Sequence, residues 1–413
     1  MMAGPLSGVR VLDFTAIILG PLASQTLGDM GADVWKVEPP DGDMLRKVGP
    51  SRSPGMGPLF LHLNRSKRSI ALDLRAEAAR PALVRLIEKA DVLMHNMRPK
   101  ALGKLGLSYE EVARINPRII HCGAFGFGQN GPYADRPAYD DLIQGAVGLP
   151  GLQAPPGGEP RYVSTAIVDR SVGLAMASAI GMALYAREKT GKGQAIEVPM
   201  FENMVQFVWS DHLYGKTFEP PLGPAGYPRM LDAERKPYRS ADGYLSVIIY
   251  TDRHWSRFFE LIGRTDLAQD PRYTTITGRV QNISFLYGFL AETFPTRTTA
   301  EWMDLLEKAD IPAAPLLTAD TLLSDPHLTA TDFVQTVDHP TEGRLRTFGI
   351  PSSWSATPPG IARQAPLLGE HTIDIFRQLD LPEADIDAML DAGVAIDGRA
   401  GMAAPSPAGG GKS

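Results

Sequence analysis

Cysteine is almost absent from this sequence, which has only Cys122 among its 413 residues. A single cysteine permits neither an intrachain disulfide nor a cage of several thiolates around a metal. The eight histidines are dispersed without HExxH or comparable ligand spacing, so we expect no metal site. A chain without disulfides fits a reducing compartment, and we expect a cytoplasmic protein.

An excess of basic charge is also lacking. Lys and Arg number 41 against 47 Asp and Glu, which gives a formal net charge of -6, and the cations are scattered. We expect no nucleic-acid partner, because polyanion-binding surfaces need clustered Lys and Arg. The N-terminus shows no basic segment followed by an apolar one, and no run approaches the ~18 apolar residues of a membrane span. We therefore expect neither export nor a membrane partner.

What the sequence does contain is a regular alternation of strand-like and helix-like segments. A length of 413 residues exceeds the ~250–300 at which one core stops growing, so two domains are expected. The alternation predicts a doubly wound α/β sheet. Strands are predicted at 8–14, 33–38, 69–74, 91–96 and 118–126, and an amphipathic helix at 78–90.

The second half of the chain suggests where the domains divide. A Pro- and Gly-rich stretch at 218–230 breaks all periodicity and reads as a linker or mobile loop. It separates a large α/β part, 1–217, from a smaller α/β domain, 231–323. The last residues, 397–413, contain too few large apolar side chains to order themselves, and we expect a disordered tail.

Asp169 stands at a junction between two predicted elements. A short strand, "AIVD" (166–169), runs into a helix of small residues at 170–190, which the glycines of "TGKG" end. A carboxylate there lies at the positive end of the helix dipole, which keeps it ionised. Ordinary helix capping explains such an Asp equally well, and the local sequence alone favours capping.

Five segments together resemble the family III CoA-transferases, which include formyl-CoA and carnitine CoA-transferases. The resemblance extends from about residue 6 to residue 379, with the segments in the same order and at similar intervals. They read "GPLASQTLGDMGADVWKVEPPDGD", "LNRSKRSIALDL", "NMRPKALGKLGLSYEEVARINPRIIHCGAFGFGQNGPYADRPAYD", "TGKGQAIEVPMFE" and "APLLGEHT".

The resemblance implies a fold and a reaction. The fold is a Rossmann-like large domain that binds CoA, a smaller domain joined to it by linkers, and a homodimer of interlocked subunits; residues 324–396 would return to the large domain. The reaction moves CoA from an acyl-CoA to a carboxylic acid, with no cofactor beyond these substrates. In the family, the carboxylate that matches Asp169 forms a mixed anhydride with the acyl group and then an aspartyl-CoA thioester.

The resemblance also implies binding residues, taken position by position. Any single cation among them is otherwise explained as a solvated surface charge, and Tyr139 and Asp140 as core and capping residues. Some family members have a polar residue where this chain has Ile18, which implies a more apolar acyl pocket. The positions expected against CoA are Leu72, Arg75, Asn96, Met97, Arg98, Lys104 and Arg136, and those expected to position the substrate are Ile18, Tyr139 and Asp140.

Two other functions and one structural question stay open at this point. The α-methylacyl-CoA racemases share the fold, but they place a His before the Asp in "GHD", where this chain has "AYD" with Tyr139, a poor substitute for imidazole. A non-catalytic CoA-binding protein is the second alternative, since fold alone does not determine chemistry. The stretch 221–228, with Gly223 and Gly226, is either a lid over the site or a plain linker. The sequence does not identify the donor and acceptor acids.

Overall fold

The computed structural model describes residues 4–154 and 157–400, and the chain divides into two compact units. The first unit takes residues up to 146, 163–204 and from 332 onward. The second takes 147–162 and 205–331. These boundaries lie at 205 and 332, whereas the sequence pattern places them at 218 and 324. The short segment 147–162 of the second unit has no sequence signal that sets it apart.

The described residues contain twelve strands and nineteen α-helices. The strands are β1 (Arg10–Phe14), β2 (Asp33–Glu38), β3 (Lys67–Leu72), β4 (Val92–His95), β5 (Ile120–Phe125), β6 (Gln194–Pro199), β7 (Tyr238–Arg239), β8 (Tyr244–Val247), β9 (Ala313–Pro315), β10 (Val334–His339), β11 (Gly343–Phe348) and β12 (Ala395–Ile396). The helices are α1 (Leu19–Asp29), α2 (Pro58–Leu63), α3 (Arg80–Lys89), α4 (Pro99–Lys104), α5 (Tyr109–Ile115), α6 (Asp140–Ala146), α7 (Leu149–Gln153), α8 (Ile167–Thr190), α9 (Met200–His212), α10 (Pro228–Leu231), α11 (Asp252–Leu261), α12 (Thr265–Ala268), α13 (Ile276–Gln281), α14 (Ile283–Thr293), α15 (Thr299–Lys308), α16 (Ala319–Leu322), α17 (Pro326–Ala330), α18 (Thr372–Gln378) and α19 (Glu383–Asp391).

The first unit is built on a seven-stranded sheet in the order β12-β3-β2-β1-β4-β5-β6. All neighbours pair in parallel except β12, which runs antiparallel to β3. This confirms the predicted α/β class with a parallel central sheet. The chain moves outward in one direction from β1 to β3 and in the other from β4 to β6. Open sheets of this order bind ligands where the direction reverses, at the carboxyl ends of β1 and β4.

The strands of this sheet carry apolar side chains on one face, and on the other face a mixture of apolar side chains and buried charged ones such as Asp13, Lys36 and Lys67. Leu12, Trp35, Ile70 and Leu93 lie in one buried cluster together with apolar residues of α3, α18 and α19. Helices α1 and α8 pack against each other elsewhere in the unit.

Helix α8 corrects two expectations. The predicted strand at 166–169 is wrong, because Ile167 to Asp169 already form the first helical turn, and Arg170 N–H bonds the carbonyl of Ala166. A short apolar run cannot be assigned to strand or helix by periodicity. The predicted end is confirmed: Gly191, with φ of 72°, caps the helix.

By length and composition alone, α8 also meets the criterion for a membrane-crossing helix, with a mean hydropathy of 1.4 over an 18-residue window. The sequence suggested no such run, because many of the contributing residues are Ala and Gly between larger apolar side chains. Half of that window is buried within the protein. The core helix of a soluble protein meets the same criterion.

The second unit combines a three-stranded sheet, β7-β8-β9, with a group of helices. Its core is strongly aromatic and includes Trp255, Phe258, Phe294 and Trp302. The residues between α9 and α10, within the predicted linker region, form an ordered loop closed on itself. Gly226 N–H donates to the carbonyl of His212 at 2.7 Å, and the rings of Tyr214 and Tyr227 stack.

The C-terminal part rejoins the first unit through β12, as the resemblance implied, but from 332 instead of 324. The sequence-based start of the disordered tail, residue 397, is too early. Gly398 N–H donates to the carbonyl of Gly369, and Arg399 pairs with Asp374 at 2.6 Å, so these residues are fixed by polar contacts that composition does not reveal. Residues 401–413 lie outside the described residues.

Candidate active site

A cavity of about 350 Å³ lies in the first unit at the carboxyl ends of β1 and β4. Its lining comes from the turn after β1, the segment after β4, the end of β5, and the loop that precedes α6. Asp169 lines it from the first turn of α8. The cavity therefore occupies the position at which the strand order predicts a ligand.

Asp169 reaches this position because α8 approaches α1 closely. A Cβ atom added to Gly173 would lie 2.6 Å from the backbone oxygen of Leu19, closer than non-bonded atoms approach. Only glycine allows this contact between the first turns of α8 and the start of α1. Since Leu19 also lines the cavity, the contact places the Asp169 carboxyl beside the first turn of α1.

The pKa of Asp169 is raised to about 7, so the expectation that its place at the start of the helix keeps it ionised is wrong. Burial is the main cause and the nearby Asp140 carboxylate the second, while Arg170 acts in the opposite direction. Asp140 Oδ1 accepts the backbone N–H of Asp169 at 3.0 Å, and Asp140 Oδ2 accepts Nε2 of the buried Gln144 at 2.6 Å. Gln144 Oε1 in turn accepts the N–H of Val163 at 2.9 Å. This chain of bonds fixes a second carboxylate next to the first.

The turn between β1 and α1 forms one wall of the cavity through Ala16, Ile17 and Leu19. Ile17 has a φ of 71°, a left-handed conformation that a β-branched residue rarely adopts and that costs about 1–3 kcal/mol. Asn96 bonds the turn from the end of β4: its Oδ1 accepts Ala16 N–H at 3.1 Å, and its Nδ2 donates to Ala16 O at 2.8 Å.

Below this turn lies a group of buried charges at the ends of β1, β2 and β3. Lys36 Nζ donates to the carbonyl of Thr15 at 2.9 Å and pairs with Asp43 at 3.0 Å, and both charged side chains are almost fully buried. Burial works against the charged ammonium, but the carboxylates of Asp13, Asp43 and Glu38 outweigh it and raise the pKa of Lys36. The ammonium is therefore charged, and it binds the turn.

A second cavity of about 310 Å³ adjoins the first, because Met97 lines both. Leu72 and Arg75 line the second cavity, beyond the carboxyl end of β3. Arg75 is largely exposed and pairs with Asp73 at 2.8 Å. Together the two cavities form a track along the carboxyl edge of the sheet, from Asp169 to Arg75.

The structure brings together most of the residues expected from the sequence. The Asp169 cavity is lined by Asn96, Met97, Arg98, Arg136 and Tyr139, and the adjoining cavity by Leu72, Arg75 and Met97.

Two expected residues, Ile18 and Lys104, lie away from both cavities. Ile18 packs on the cluster around Phe60, because the left-handed Ile17 turns the next side chain away from the cavity. Lys104, at the end of α4, lines neither cavity. Asp140 does not line the cavity, but its carboxylate accepts the backbone N–H of Asp169 and contributes to the raised pKa of Asp169. Tyr139 is 64% exposed at the rim, so it is not a core residue.

Sequence reasoning missed Gln144 and Lys36. The signal for Gln144 was its position four residues after Asp140 on one helix, where side chains meet. The bonds from Asn96 and Lys36 to the turn connect residues 80 and 21 positions apart. No local pattern reports such contacts.

Among the described lining residues of the Asp169 cavity there is no histidine. His95 lies just before Asn96 but is fully buried, and burial, with His121 nearby, lowers its pKa to about 3. Its imidazole is neutral and packs edge-on to Phe125. Within 4–154 and 157–400, no group of three His, Cys, Asp or Glu side chains is placed to hold a metal ion. Asp169 carries the one carboxylate among the described residues that line the cavity.

Comparisons with known proteins agree with this geometry. The family model described as CoA-transferase family III matches residues 6–372. The succinyl-CoA:glutarate CoA-transferase of Mus musculus is 32% identical over 395 residues, which cover 94% of this chain and 90% of the relative. The formyl-CoA:oxalate CoA-transferase of Streptomyces coelicolor is 33% identical, covering 95% of this chain and 100% of the relative.

Solved structures show the same relationship. A CAIB/BAIF family protein from Brucella suis superposes with a TM-score of 0.77 at 33% identity, covering 92% of this chain and 100% of that one. Rv3272 from Mycobacterium tuberculosis superposes with a TM-score of 0.78 at 29% identity, covering 90% and 99%. Sequence and fold together show that the chain belongs to the CoA-transferase family III.

Proposed function

We propose that this protein transfers CoA from an acyl-CoA donor to a carboxylic acid acceptor, with the Asp169 carboxylate as the covalent acceptor. The observation that carries the proposal is the position of Asp169, at the end of a track along the carboxyl edge of a sheet with Rossmann order. The named activities of the relatives support the reaction class.

The proposed route has four balanced steps. An Asp169 oxygen attacks the thioester carbonyl and expels the CoA thiolate, leaving an acyl-aspartyl anhydride. The thiolate attacks the aspartyl carbonyl of the anhydride, releases the donor acid and forms an aspartyl-CoA thioester. The acceptor carboxylate attacks that thioester and expels the thiolate again. The thiolate then attacks the acceptor acyl carbonyl, giving the new acyl-CoA and free Asp169.

A carboxylate suits this exchange because the aspartyl-CoA thioester is close in energy to the acyl-CoA substrates, so CoA can pass in either direction. A serine ester would trap the acyl group. Arg98 and Arg136 line the same cavity and supply positive charge for an incoming carboxylate. The route uses no group other than Asp169 and the two substrates.

The raised pKa of Asp169 is consistent with a nucleophile. With a pKa of about 7, the carboxylate is partly ionised at neutral pH and is more basic than an ordinary Asp. Nucleophilicity rises with basicity, so partial desolvation makes the ionised form more reactive. Activity should therefore rise with pH through this range.

The test is replacement of Asp169 by Ala, with Asp141→Ala as the matched control. Asp141 is an exposed carboxylate in the first turn of α6 and does not line the cavity. We expect Asp169→Ala to lower CoA transfer by at least ~10³-fold, a barrier increase of about 4 kcal/mol, with CoA binding nearly unchanged. Asp141→Ala should behave as wild type. If Asp169→Ala keeps more than about a tenth of the wild-type turnover, the barrier has risen by less than ~1.4 kcal/mol, and Asp169 is not the nucleophile.

We further propose a homodimer. Leu174, Met182 and Tyr185 project from one side of α8 and are 56%, 65% and 67% exposed. Water-exposed apolar side chains in such a row are typical of an interface. Light scattering at micromolar concentration tests this, since an active species of monomer mass would contradict it.

A further inference from the structure

The turn that follows β1 holds a conformation that its own sequence does not favour. Ile17 has a φ of 71°, where its branched Cβ crowds the backbone. The turn also packs closely against α1, because a Cβ added to Gly20 would lie only 2.1 Å from Thr15 Cβ. Left to local preferences, a chain with Ile at this position would relax to another conformation. The surrounding structure must hold it.

Three side chains bond the backbone of this turn. Asn96 bonds both the N–H and the carbonyl of Ala16. Lys36 donates to the carbonyl of Thr15 at 2.9 Å. Asp43, the partner of Lys36, accepts the N–H of Ile17 at 3.4 Å. Each residue from 15 to 17 is thus bonded from outside the turn.

Asn96 lines the cavity, but its Oδ1 and one hydrogen of its Nδ2 are bonded to Ala16. The resemblance led us to expect Asn96 against the nucleotide of CoA, but its hydrogen-bonding groups face the turn. The Lys36–Asp43 pair is almost completely buried, so neither side chain reaches a substrate. Their effect on a reaction can only pass through the turn, whose Ala16, Ile17 and Leu19 line the cavity with Asp169.

We propose that Asn96 and the buried Lys36–Asp43 pair are positioning residues that fix the turn 15–17 as the wall of the acyl pocket, and thereby limit the length of the acyl group accepted. This inference rests on the proposed function, because it takes the cavity around Asp169 as the place of the acyl group. If the bonds are removed, Ile17 relaxes, the wall moves and longer acyl chains fit.

The experiment compares Asn96→Ala with a matched control, Asn116→Ala. Asn116 also bonds backbone from its amide, donating to the carbonyls of Ile87 at 3.0 Å and Ala90 at 2.8 Å, but it does not line the cavity. Both variants lose comparable bonds, so a purely structural effect would appear in both.

The probes are S-alkyl-CoA thioethers with ethyl and octyl chains, which cannot react, with binding measured by calorimetry. We expect the ratio of the octyl Kd to the ethyl Kd to fall at least ~5-fold in Asn96→Ala. The reason is that fitting or excluding a few methylenes in an apolar pocket changes affinity by ~10-fold or more. The ratio should stay at the wild-type value in Asn116→Ala.

A second variant covers the case in which Asn96→Ala does not fold. Ile17→Gly needs no external bonds, since glycine adopts a φ of 71° freely. It removes the Ile17 side chain from the wall and should shift the ratio in the same direction. In the Ile17→Gly background, Asn96→Ala should change the ratio less than about twofold, because no strained residue remains to relax.

The outcomes separate the two proposals. The positioning role is overturned if the thioethers bind but the octyl to ethyl Kd ratio is unchanged in both Asn96→Ala and Ile17→Gly. It is also overturned if Asn116→Ala changes that ratio as much as they do. Either result leaves the proposed function intact. A wild-type protein that binds neither thioether would contradict the proposed function, and the positioning role with it.

Discussion

The Asp140 carboxylate, fixed beside Asp169, allows the pH dependence of activity to be changed with one substitution. Asp140→Asn removes a charge while its amide oxygen can still accept the backbone N–H of Asp169, now bonded at 3.0 Å. The bond from Gln144 Nε2 is lost, because the new amide presents a donor to it. We expect a stability cost of about 1 kcal/mol and a protein that still folds.

The size of the expected shift follows from simple electrostatics. At an effective permittivity of about 20, a unit charge roughly 6 Å away contributes about 3 kcal/mol, or ~2 pKa units. Asp169 is only partly buried, and solvent screening should reduce this to about one unit. Burial still raises the pKa of Asp169, so in the variant this pKa should fall below about 7 and stay above that of an ordinary Asp.

The assay is the initial rate of CoA transfer between pH 5 and pH 9, analysed as kcat/KM, which reports ionisations of the free enzyme. The acidic limb of wild type should have its midpoint near pH 7 and that of Asp140→Asn about one unit lower. Asp141→Asn, at an exposed neighbouring position, is the control and should leave the midpoint in place. If the midpoint of Asp140→Asn equals that of the Asp141→Asn control, or lies at higher pH, Asp140 does not raise the pKa of Asp169.

The remaining predictions concern packing, stability and reaction type. Gly173→Ala should lower the free energy of unfolding by about 2 kcal/mol and also lower kcat, because the added Cβ would lie 2.6 Å from Leu19 O. Gly181→Ala on the same helix is the control, because its added Cβ meets nothing within 4 Å. It should raise the free energy of unfolding, measured in urea, by ~0.5–1 kcal/mol. Asp169→Asn, verified by mass, should be more stable than wild type by about 2 kcal/mol at pH 8. Because the folded-state pKa is raised to about 7 from 3.8, stability is lost as pH rises between these values, so this gain should vanish near pH 4. With Tyr139 where racemases carry His, a chiral 2-methylacyl-CoA in deuterium oxide should take up no α-deuterium; uptake at turnover rates without CoA transfer would favour a racemase.

Much of the fold was predictable because short segments rich in Val, Ile and Leu alternate along the chain with segments of helical pattern. The strand 33–38 was predicted to the residue, and the end of α8 followed from its glycines. The start of α8 was not predictable, since "AIV" is compatible with strand and helix alike. The residues at 397–400 looked disordered because backbone and ion-pair contacts, not apolar burial, fix them.

Within the site, the residues that line the cavity were predictable only where motif segments resemble the family. Ile18 was misplaced because the side-chain direction depends on the left-handed Ile17, a backbone state that favours glycine and that no propensity assigns to Ile. The hydrogen bond from the backbone N–H of Asp169 to Asp140 Oδ1, which holds a second carboxylate beside the first, spans 29 residues and depends on how α6 meets α8. Such contacts become visible only after the chain has folded.

The most direct test of the central claim is to trap the covalent intermediate. The protein is incubated with an acyl-CoA donor and hydroxylamine, digested, and analysed by mass spectrometry, with Asp169→Ala as control. An activated carboxyl reacts with hydroxylamine to give a hydroxamate, and free Asp does not. We predict a hydroxamate on the peptide that contains Asp169, dependent on the donor and absent from the variant. CoA transfer that proceeds at full rate without any hydroxamate, or with the label on another carboxyl, would contradict the account.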